Sequence, residues 1–303
     1  MTIGNSVTSI GDHAFHGCTS LKSLTLNCPT VKSWFNEMES ITSVIIGNSV
    51  TSIGDKAFYD CTKLASVTIG NSVTSIGDEA FYDCISLASV TIPNSVTTIG
   101  DQAFVCCESL TSVTIPDSVT SIGDQAFVYC ESLKSVIIGN SVTTIGDDAF
   151  LNCFSLASIT VDGNSQNYSS DEYGVLFDKA KTKLILYPVG NARTSYSIPG
   201  SVTSIGTYAF YRCESLASMT IPSSVTSIGD GAFSGCTSLA SVTMGNSVTT
   251  IGDDAFYDCT KLASVTIPSS VTSIGDEAFH NCASLTSIIF DKTSWNITYM
   301  GDD

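Results

Sequence analysis

Apolar and polar positions follow one pattern that repeats along most of the chain. In the copy Ser72–Asn94, the β-branched segment 87–92 has apolar residues at alternating positions near its end, which predicts a short strand with one face turned toward a core. The segment 73–76 is predicted to be a second short extended piece. Eight side chains of the copy are therefore predicted to face the core, from the two strands and from the segment between them. They are Val73, Ile76, Ala80, Phe81, Cys84, Leu87, Val90 and Ile92.

A corner and a short helical turn are predicted between the strands. Gly77 ends one strand, and the freedom of glycine to take positive φ suits a corner. Asp78 is placed to cap the segment Glu79–Cys84, a short helical turn whose apolar residues share one face. Pro93 then turns the chain into the next copy.

The same pattern occurs ten times, mostly at a step of 23 residues. Repeats of this size are supersecondary units that cannot bury their apolar faces alone and therefore stack on their neighbours. The sequence thus predicts a repeat solenoid. The copies begin at Ser6, Ser49, Ser72, Ser95, Ser118, Ser141, Ser201, Ser224, Ser247 and Ser270.

One copy shows the signature residues Ser224, Val225, Ile228, Gly229, Ala232, Phe233, Cys236 and Leu239. This pattern resembles leucine-rich repeats of the bacterial surface antigen A (BspA-like) type, from residue 2 to about residue 290. Val and Ile replace most leucines, and the asparagine ladder of other leucine-rich repeats is absent. The resemblance implies a curved right-handed stack with a parallel β-sheet on one face and short helical or 3-10 turns on the other. It also implies a role in binding rather than in chemistry.

We expect one solenoid domain over residues 1–303. Residues 28–48 read as a degenerate coil, in which Trp34 and Phe35 replace the usual Ala-Phe-Cys turn. The strand pattern continues through this stretch, so it should remain a coil of the stack.

Residues 162–200 read as an irregular insert inside the array. The apolar segments 174–177 and 184–187 flank a charged tip, which predicts a β-hairpin. The insert is also the most basic part of an acidic chain, because it contains Lys179, Lys181, Lys183 and Arg193.

Charge limits the classes of partner. The chain has 12 Lys and Arg against 29 Asp and Glu, a formal net charge of −17. Nucleic-acid binding needs a cationic surface, so nucleic acids are excluded and anionic membranes are disfavoured. No apolar run reaches the roughly 18 residues of a membrane-spanning helix, so we expect no membrane insertion.

The composition agrees with a secreted or cell-surface protein. No export signal opens the chain. Residues 1–5 instead copy the end of a repeat, so we expect a fragment that starts inside the array.

Ten of the twelve cysteines occupy one position, three residues after the phenylalanine of each copy. We interpret them as small buried apolar side chains. His13, His16 and His280 lie at opposite ends of the array, and zinc sites need short chelating spacings, so no metal or cofactor is expected. Cys28 and Cys106 fall outside the pattern and are the thiols expected to react.

Aspartates form a second ladder, with Thr207 in place of Asp in one copy. Capping of helical turns explains the ladder without a ligand. Calcium binding is the alternative, but the glycine-rich repeats with paired Asp that calcium-binding solenoids use are missing. The ladder consists of Asp12, Asp55, Asp78, Asp101, Asp124, Asp147, Asp230, Asp253 and Asp276.

Catalysis has no candidate residues. No Ser or Thr is distinguished by a His and carboxylate partner, and no nucleophile elbow, phosphate loop or metalloprotease motif occurs. We therefore predict that the protein is not an enzyme.

The outward face of the predicted sheet presents Ala, Ser and Thr in each copy, interrupted by Lys134, Ser135 and Ile137. It lacks the Trp, Tyr and Arg anchors of tight interfaces, so binding through Thr68, Thr91 and Thr114 would depend on repetition.

The leading hypothesis is an adhesin-like module, a monomer that binds extracellular-matrix, host or neighbouring-cell surface proteins through the insert. A structural spacer within a larger surface protein is the alternative, favoured by the near identity of the copies. Ice binding by the threonines is a third, which curvature of the stack disfavours. The candidate contact residues in the insert are Tyr173, Phe177, Tyr187 and Arg193.

Overall fold

The computed structural model describes residues 1–11 and 14–291. Their contacts separate into two compact units, unit 1 over Met1–Asn167 and unit 2 from Tyr168 onward. Each unit is a parallel β-solenoid whose successive coils add one short strand to each of two sheets. The predicted solenoid is therefore confirmed. We call the sheet of Ser-Val-Thr-Ile strands the front sheet and the other the back sheet.

In unit 1, paired strands run in parallel, with Ser112 opposite Ser135 in front and Ser75 opposite Thr98 behind. The back sheet is continuous, whereas the front sheet is divided after Val90 into a group of five strands and a group of three. The front-sheet strands are β1 (Thr2–Ile3), β2 (Ser23–Leu26), β4 (Ser43–Ile46), β6 (Ser66–Ile69), β8 (Ser89–Val90), β10 (Ser112–Ile115), β12 (Ser135–Ile138) and β14 (Ser158–Val161). The back-sheet strands are β3 (Thr30–Val31), β5 (Ser52–Ile53), β7 (Ser75–Ile76), β9 (Thr98–Ile99), β11 (Ser121–Ile122) and β13 (Thr144–Ile145).

In unit 2, the first three back-sheet strands pair antiparallel and the following ones pair in parallel. The back-sheet strands are β15 (Tyr168–Ser170), β16 (Leu176–Asp178), β17 (Lys183–Leu186), β19 (Ser204–Ile205), β21 (Ser227–Ile228), β23 (Thr250–Ile251) and β25 (Ser273–Ile274). The front-sheet strands are β18 (Ser195–Ser197), β20 (Ser218–Ile221), β22 (Ser241–Met244), β24 (Ser264–Ile267) and β26 (Ser287–Phe290).

The core lies between the two sheets and the turns that join them. All inward positions predicted for the copy Ser72–Asn94 are buried. The repeat phenylalanines form a stacked column, in which the ring centroid of Phe104 lies 5.2 Å from that of Phe81 and 5.1 Å from that of Phe127. Each coil therefore completes the core of its neighbours.

The cysteine ladder is part of this core. Cys84 Sγ donates to the carbonyl oxygen of Phe58 in the preceding coil at 3.3 Å, and Cys107 Sγ donates to Phe81 at 3.3 Å. Both thiols are fully buried. The interpretation of the ladder cysteines as small buried side chains is confirmed for nine of the ten, and it is wrong for Cys18 in the first copy, which is exposed. The buried thiols add a weak bond between coils.

The short turns after each aspartate are not helical, which corrects the prediction. Within the described ranges, Ser33–Phe35 is the single 3-10 helix, and no helix has the length and apolar character to cross a membrane. Glu79 and Asp83 have φ of 53° and 55°, values that a right-handed helix excludes. Their backbone N–H groups instead donate to the carbonyls of Asp101 and Val105 in the next coil, both at 2.9 Å.

The aspartates bond along the stack and do not cap their own turns. Asp78 Oδ1 accepts from the backbone N–H of Asp101, and Asp101 Oδ1 accepts from that of Asp124, both at 2.9 Å. Six of these carboxylates lie over the glycine of the next coil, those of Asp55, Asp78, Asp101, Asp124, Asp230 and Asp253. A Cβ built at Gly123, for example, would come 2.4 Å from Asp101 Oδ1. Close approach of the neighbouring coil, not positive φ, therefore requires glycine here. Asp12 and His13 lie outside the described residues.

Carboxylates that lie close together destabilise the folded state, and this effect can be measured at Asp148. Burial raises the pKa of Asp148, and the Asp147 and Asp124 carboxylates raise it further. The carboxyl of Asp148 therefore binds its proton more tightly in the folded state than in the unfolded chain. At pH 7 the ionised carboxylate destabilises the fold, and this destabilisation is lost as the pH falls through the pKa of the folded state.

We expect Asp148→Asn to raise Tm at pH 7, with the gain shrinking as the pH is lowered into the acid range. Thermal unfolding followed by circular dichroism measures this, with Glu108→Gln at an exposed position as the control. A gain that is the same at every pH would contradict the assignment.

The degenerate coil keeps its place in the stack. The ring of Phe35 lies between those of Phe15 and Phe58, with centroid distances of 5.7 and 6.2 Å. Trp34 packs edge-on against Phe35 at 6.4 Å. Phe35 thus fills the position of the repeat phenylalanine, although its surrounding sequence differs.

The second half of the predicted insert is also a coil. Strand β17 continues the back sheet, with Lys183 opposite Ser204, and β18 continues the front sheet, with Tyr196 opposite Met219. Tyr187 stacks on Phe210 with centroids 5.1 Å apart. The antiparallel pairing of β16 with β17 lies where the sequence places a β-hairpin.

Tyr187 occupies a phenylalanine position but carries a hydroxyl. In the described part of the chain this buried hydroxyl has no hydrogen-bond partner. We expect Tyr187→Phe to leave the stability unchanged or raise it by about 1 kcal/mol, because a buried unpaired hydroxyl is lost. Tyr196→Phe is the matched control: its hydroxyl donates to Asp171 Oδ2 at 2.6 Å, so its removal should lower Tm. Thermal unfolding that ranks the two variants the other way would contradict this.

Candidate functional site

The front sheet of unit 1 presents rows of small polar side chains. Ser112, Ser135 and Ser158 lie opposite one another on adjacent strands. Two residues further along the same strands, Thr114 lies opposite Ile137. The predicted contact residues of this face are all exposed: Thr68, Thr91, Thr114 and Lys134.

Two isoleucines break the threonine row. Ile45 lies between Thr25 and Thr68 and is 51% exposed, and Ile137 is 48% exposed. Sequence reasoning noted Ile137 as an interruption but missed Ile45. The signal was present, because the strand reads Val-Ile-Ile where most copies read Val-Thr-Ile.

A shallow groove of about 540 Å³ follows the back sheet of unit 1. Its lining combines Ser and Thr of the back-sheet strands, the repeat glycines and the carboxylates of Asp55, Asp78, Asp101 and Asp124. No group of three His, Cys, Asp or Glu among the described residues is arranged as a metal site. The lining offers hydrogen-bond acceptors and negative charge.

In unit 2, an exposed arginine lies on a tyrosine ring. The guanidinium carbon of Arg193 lies 3.7 Å from the centroid of the Tyr173 ring, a cation–π contact. Asn191 fixes both partners: its side chain accepts from the backbone N–H of Arg193 at 3.2 Å and donates to the carbonyl of Tyr173 at 3.1 Å. The pair is therefore held in place before any partner arrives.

Asp171 holds the backbone around Tyr173 by hydrogen bonds. Its Oδ1 accepts from the backbone N–H groups of Tyr173 and Val175 at 2.9 and 3.0 Å, and its Oδ2 accepts from the Tyr196 hydroxyl. Burial and this hydrogen bond raise the pKa of Tyr196. Sequence reasoning missed Asp171 and Tyr196. The Asp-Glu-Tyr-Gly run is an Asx-turn signal that could have indicated the first of them.

Two predicted contact residues are core residues, which corrects the interpretation. Phe177 is 0% exposed and Tyr187 is 1% exposed, so neither can present its ring to a partner. Tyr187 stands in the phenylalanine column, and Phe177 lies on the antiparallel strand β16. Of the four predicted contact residues in the insert, Arg193 is therefore exposed and Tyr173 is half-buried.

The thiols differ in exposure. Cys18 is exposed, Cys106 is partly exposed and the other ten are buried. Burial raises the pKa of Cys28, and burial with a hydrogen bond to Asp83 raises the pKa of Cys106 to about 11. Because the thiolate is the reactive form, the expectation for Cys28 and Cys106 is corrected in favour of Cys18.

We expect Ellman's reagent at pH 8 to label one thiol per native chain rapidly and all twelve in denaturant. Cys18→Ser should remove the rapid phase, whereas Cys106→Ser should leave it. Rapid labelling that survives Cys18→Ser would contradict this assignment.

The chain is similar to bacterial leucine-rich repeat proteins. The family model of a BspA type leucine rich repeat region (6 copies) matches residues 1–105, 51–173 and 190–302. No curated protein matches the chain.

Solved structures share the fold. A leucine rich cell surface protein from Faecalibacterium prausnitzii A2-165 is 33% identical, with a TM-score of 0.64 over 96% of this chain and 87% of that one. A leucine-rich repeat protein from Bacteroides ovatus ATCC 8483 is 29% identical, with a TM-score of 0.68 over 95% of this chain and 79% of that one. The pneumococcal vaccine antigen PcpA is 22% identical, with a TM-score of 0.74 over 91% and 73%. This last similarity concerns the fold alone.

Proposed function

Because the chain belongs to the BspA-type leucine-rich repeat family, we propose that it is a cell-surface or secreted protein-interaction module with adhesin-like binding to host or neighbouring-cell proteins. The single observation that carries the binding role is the contact of the exposed Arg193 with the half-buried ring of Tyr173, in which Asn191 hydrogen-bonds the backbone of both residues. Arginine and tyrosine are the residue types that dominate binding energy at protein interfaces.

Several facts support a surface location. The relative from Faecalibacterium prausnitzii is described as a cell surface protein. The net charge of −17 suits a soluble exposed module and opposes binding to nucleic acid. Extracellular-matrix and host surface proteins are the partner classes we propose, with the chain acting as a monomer and without catalysis.

The binding role is tested with purified chain on a panel of matrix proteins and intact host cells. Arg193→Ala and Tyr173→Ala should each weaken binding by about tenfold, the effect of losing one anchoring side chain. Arg212→Ala is the matched control, because Arg212 is also exposed but lies 3.6 Å from the Glu214 carboxylate. Equal binding by all four proteins would overturn the assignment to this pair.

The front sheet is tested in parallel. The triple variant Thr68→Ala, Thr91→Ala and Thr114→Ala removes three hydroxyls from the exposed face of unit 1. Loss of binding in this variant alone would move the site to the front sheet.

A structural spacer is the second candidate. The in-register rows of identical Ser and Thr on the front sheet favour it, because a uniform surface offers no distinct anchor. Absence of binding by the unmodified chain to every member of the panel would support the spacer.

A further inference from the structure

The aspartate ladder is interrupted at the first coils of unit 2. In the coil that starts with β17, Leu184 and Tyr187 are separated by two residues, Ile185 and Leu186, and neither is acidic. In the next coil Thr207 replaces the aspartate. The ladder of unit 2 begins at Asp230, whose Oδ1 accepts from the backbone N–H of Asp253 at 3.0 Å.

The stem of a lysine lies near the glycine that a carboxylate covers in other coils. In unit 1, Asp55 Oδ1 lies 2.4 Å from a Cβ built at Gly77. At Gly206, the equivalent position in unit 2, the neighbouring side-chain atom is Lys183 Cε at 3.5 Å. At Gly206 the neighbouring side chain is therefore a lysine, whereas at Gly77 it is an aspartate.

Two further lysines extend this charge along the hairpin. Lys179 and Lys183 are exposed, and Lys181 Nζ lies 5.6 Å from the centroid of the Phe177 ring. We define Lys179, Lys181 and Lys183 as the basic tip. They occupy alternate positions of the chain at the turn between β16 and β17.

The single carboxylate of the tip is already engaged. Asp178 Oδ1 accepts from the backbone N–H groups of Thr182 and Lys183 at 2.6 and 2.9 Å, and its Oδ2 accepts from the Thr182 hydroxyl. Asp178 therefore shapes the turn. The tip combines three cations with one carboxylate bonded to its own backbone, on a chain that is otherwise strongly acidic.

We infer that the basic tip is a docking surface for an acidic segment of a partner protein. Charge complementarity is the reason: a cationic tip attracts an anionic segment, while the acidic remainder of the chain repels it, so docking is confined to the tip. The ammonium group of lysine is a compact charge on a flexible side chain. Three such groups can each reach a different carboxylate of an extended acidic segment, whereas they are less suited to holding a single anion in one fixed position. The inference rests on the proposed function and names the chemistry of its partner.

The probe is a fluorescent peptide of twelve glutamates, followed by anisotropy with the full chain at low salt. The unmodified chain should bind, and binding should disappear as salt is raised, because exposed charge pairs are screened. The triple variant Lys179→Glu, Lys181→Glu and Lys183→Glu should weaken binding by about tenfold or more. The neutral variant with three alanines should give a smaller loss in the same direction.

The matched control reverses three exposed lysines outside the insert, Lys22→Glu, Lys63→Glu and Lys261→Glu. It has the same net charge as the tip variant, so equal losses would mean a general charge effect and overturn the inference. Circular dichroism of each variant establishes that it is folded. Failure of the unmodified chain to bind the peptide would also overturn it.

Heparin is titrated as the competing polyanion. If heparin binds through the tip and the glutamate peptide does not, a protein partner is wrong and the surface recognises an anionic polysaccharide. The host-protein panel separates the two proposals: binding that is lost in Arg193→Ala but kept in the tip variant leaves the proposed function standing and removes this inference.

Discussion

Replacing Gly123 with alanine should destabilise unit 1 by about 3 kcal/mol or more, the upper range for forcing an extra methyl group into packed surroundings. A Cβ at this position would lie 2.5 Å from the backbone nitrogen of Asp101 and 2.5 Å from the carbonyl carbon of Gly100. These neighbours are main-chain atoms of the preceding coil, so they cannot swing aside as a flexible side chain can. The two coils must separate, and the hydrogen bond from Asp124 to Asp101 is strained with them.

Gly163→Ala is the matched control, because no atom lies within 4 Å of its added methyl group and its φ is not in the left-handed region. Both glycines lie in unit 1, so the comparison removes the general effect of Gly→Ala on the unfolded chain. Thermal and urea unfolding by circular dichroism should show a large loss for the first variant and almost none for the second. Similar Tm values for both would refute close coil packing at Gly123.

The inward residues of a coil were predictable because burial leaves a strict pattern in the sequence. Val90 and Ile92 alternate with polar residues, apolar residues recur at these positions in the other copies, and both side chains are buried. Alternation reports which side of a strand faces the core, so a single copy is enough to assign it.

The geometry of the turns was not predictable in this way. Glu79 and Asp83 are residues that seldom adopt positive φ, and nothing in one copy indicates it. Their conformation is set by hydrogen bonds to the next coil, at 2.9 Å for each backbone N–H. The helical interpretation considered only contacts within one copy, whereas the favourable partners lie one repeat away.

In the candidate site, too, some features could be predicted from one copy and others could not. Exposure of Thr68 and Thr114 followed from strand alternation. Burial of Tyr187 did not, because residues 162–200 looked irregular as a block. A 23-residue offset from Tyr187 to Phe210 would have revealed the coil, but two residues are missing from its corner and hide the match.

Phe104→Ala should have the second large effect, a loss of about 3 to 5 kcal/mol. Phe104 is fully buried and its ring has a stacked neighbour on each side, Phe81 and Phe127. The substitution removes both stacking contacts and leaves a cavity that the stacked coils can fill only by moving together. In a solenoid, stability depends on interfaces between neighbours, so a defect in the middle of a unit weakens two interfaces at once.

Phe15→Ala tests this dependence on position. Phe15 is partly exposed and stacks on Phe35 at 5.7 Å, so its removal should cost well under half as much. Urea unfolding of both variants, followed by circular dichroism and by intrinsic fluorescence, measures the difference. If the two losses were equal, the phenylalanines would contribute as independent apolar side chains, and the stacked column would have no cooperative role. A larger loss at Phe104 would mean that each ring stabilises both of its neighbours, which is the property that lets near-identical copies form one folded unit.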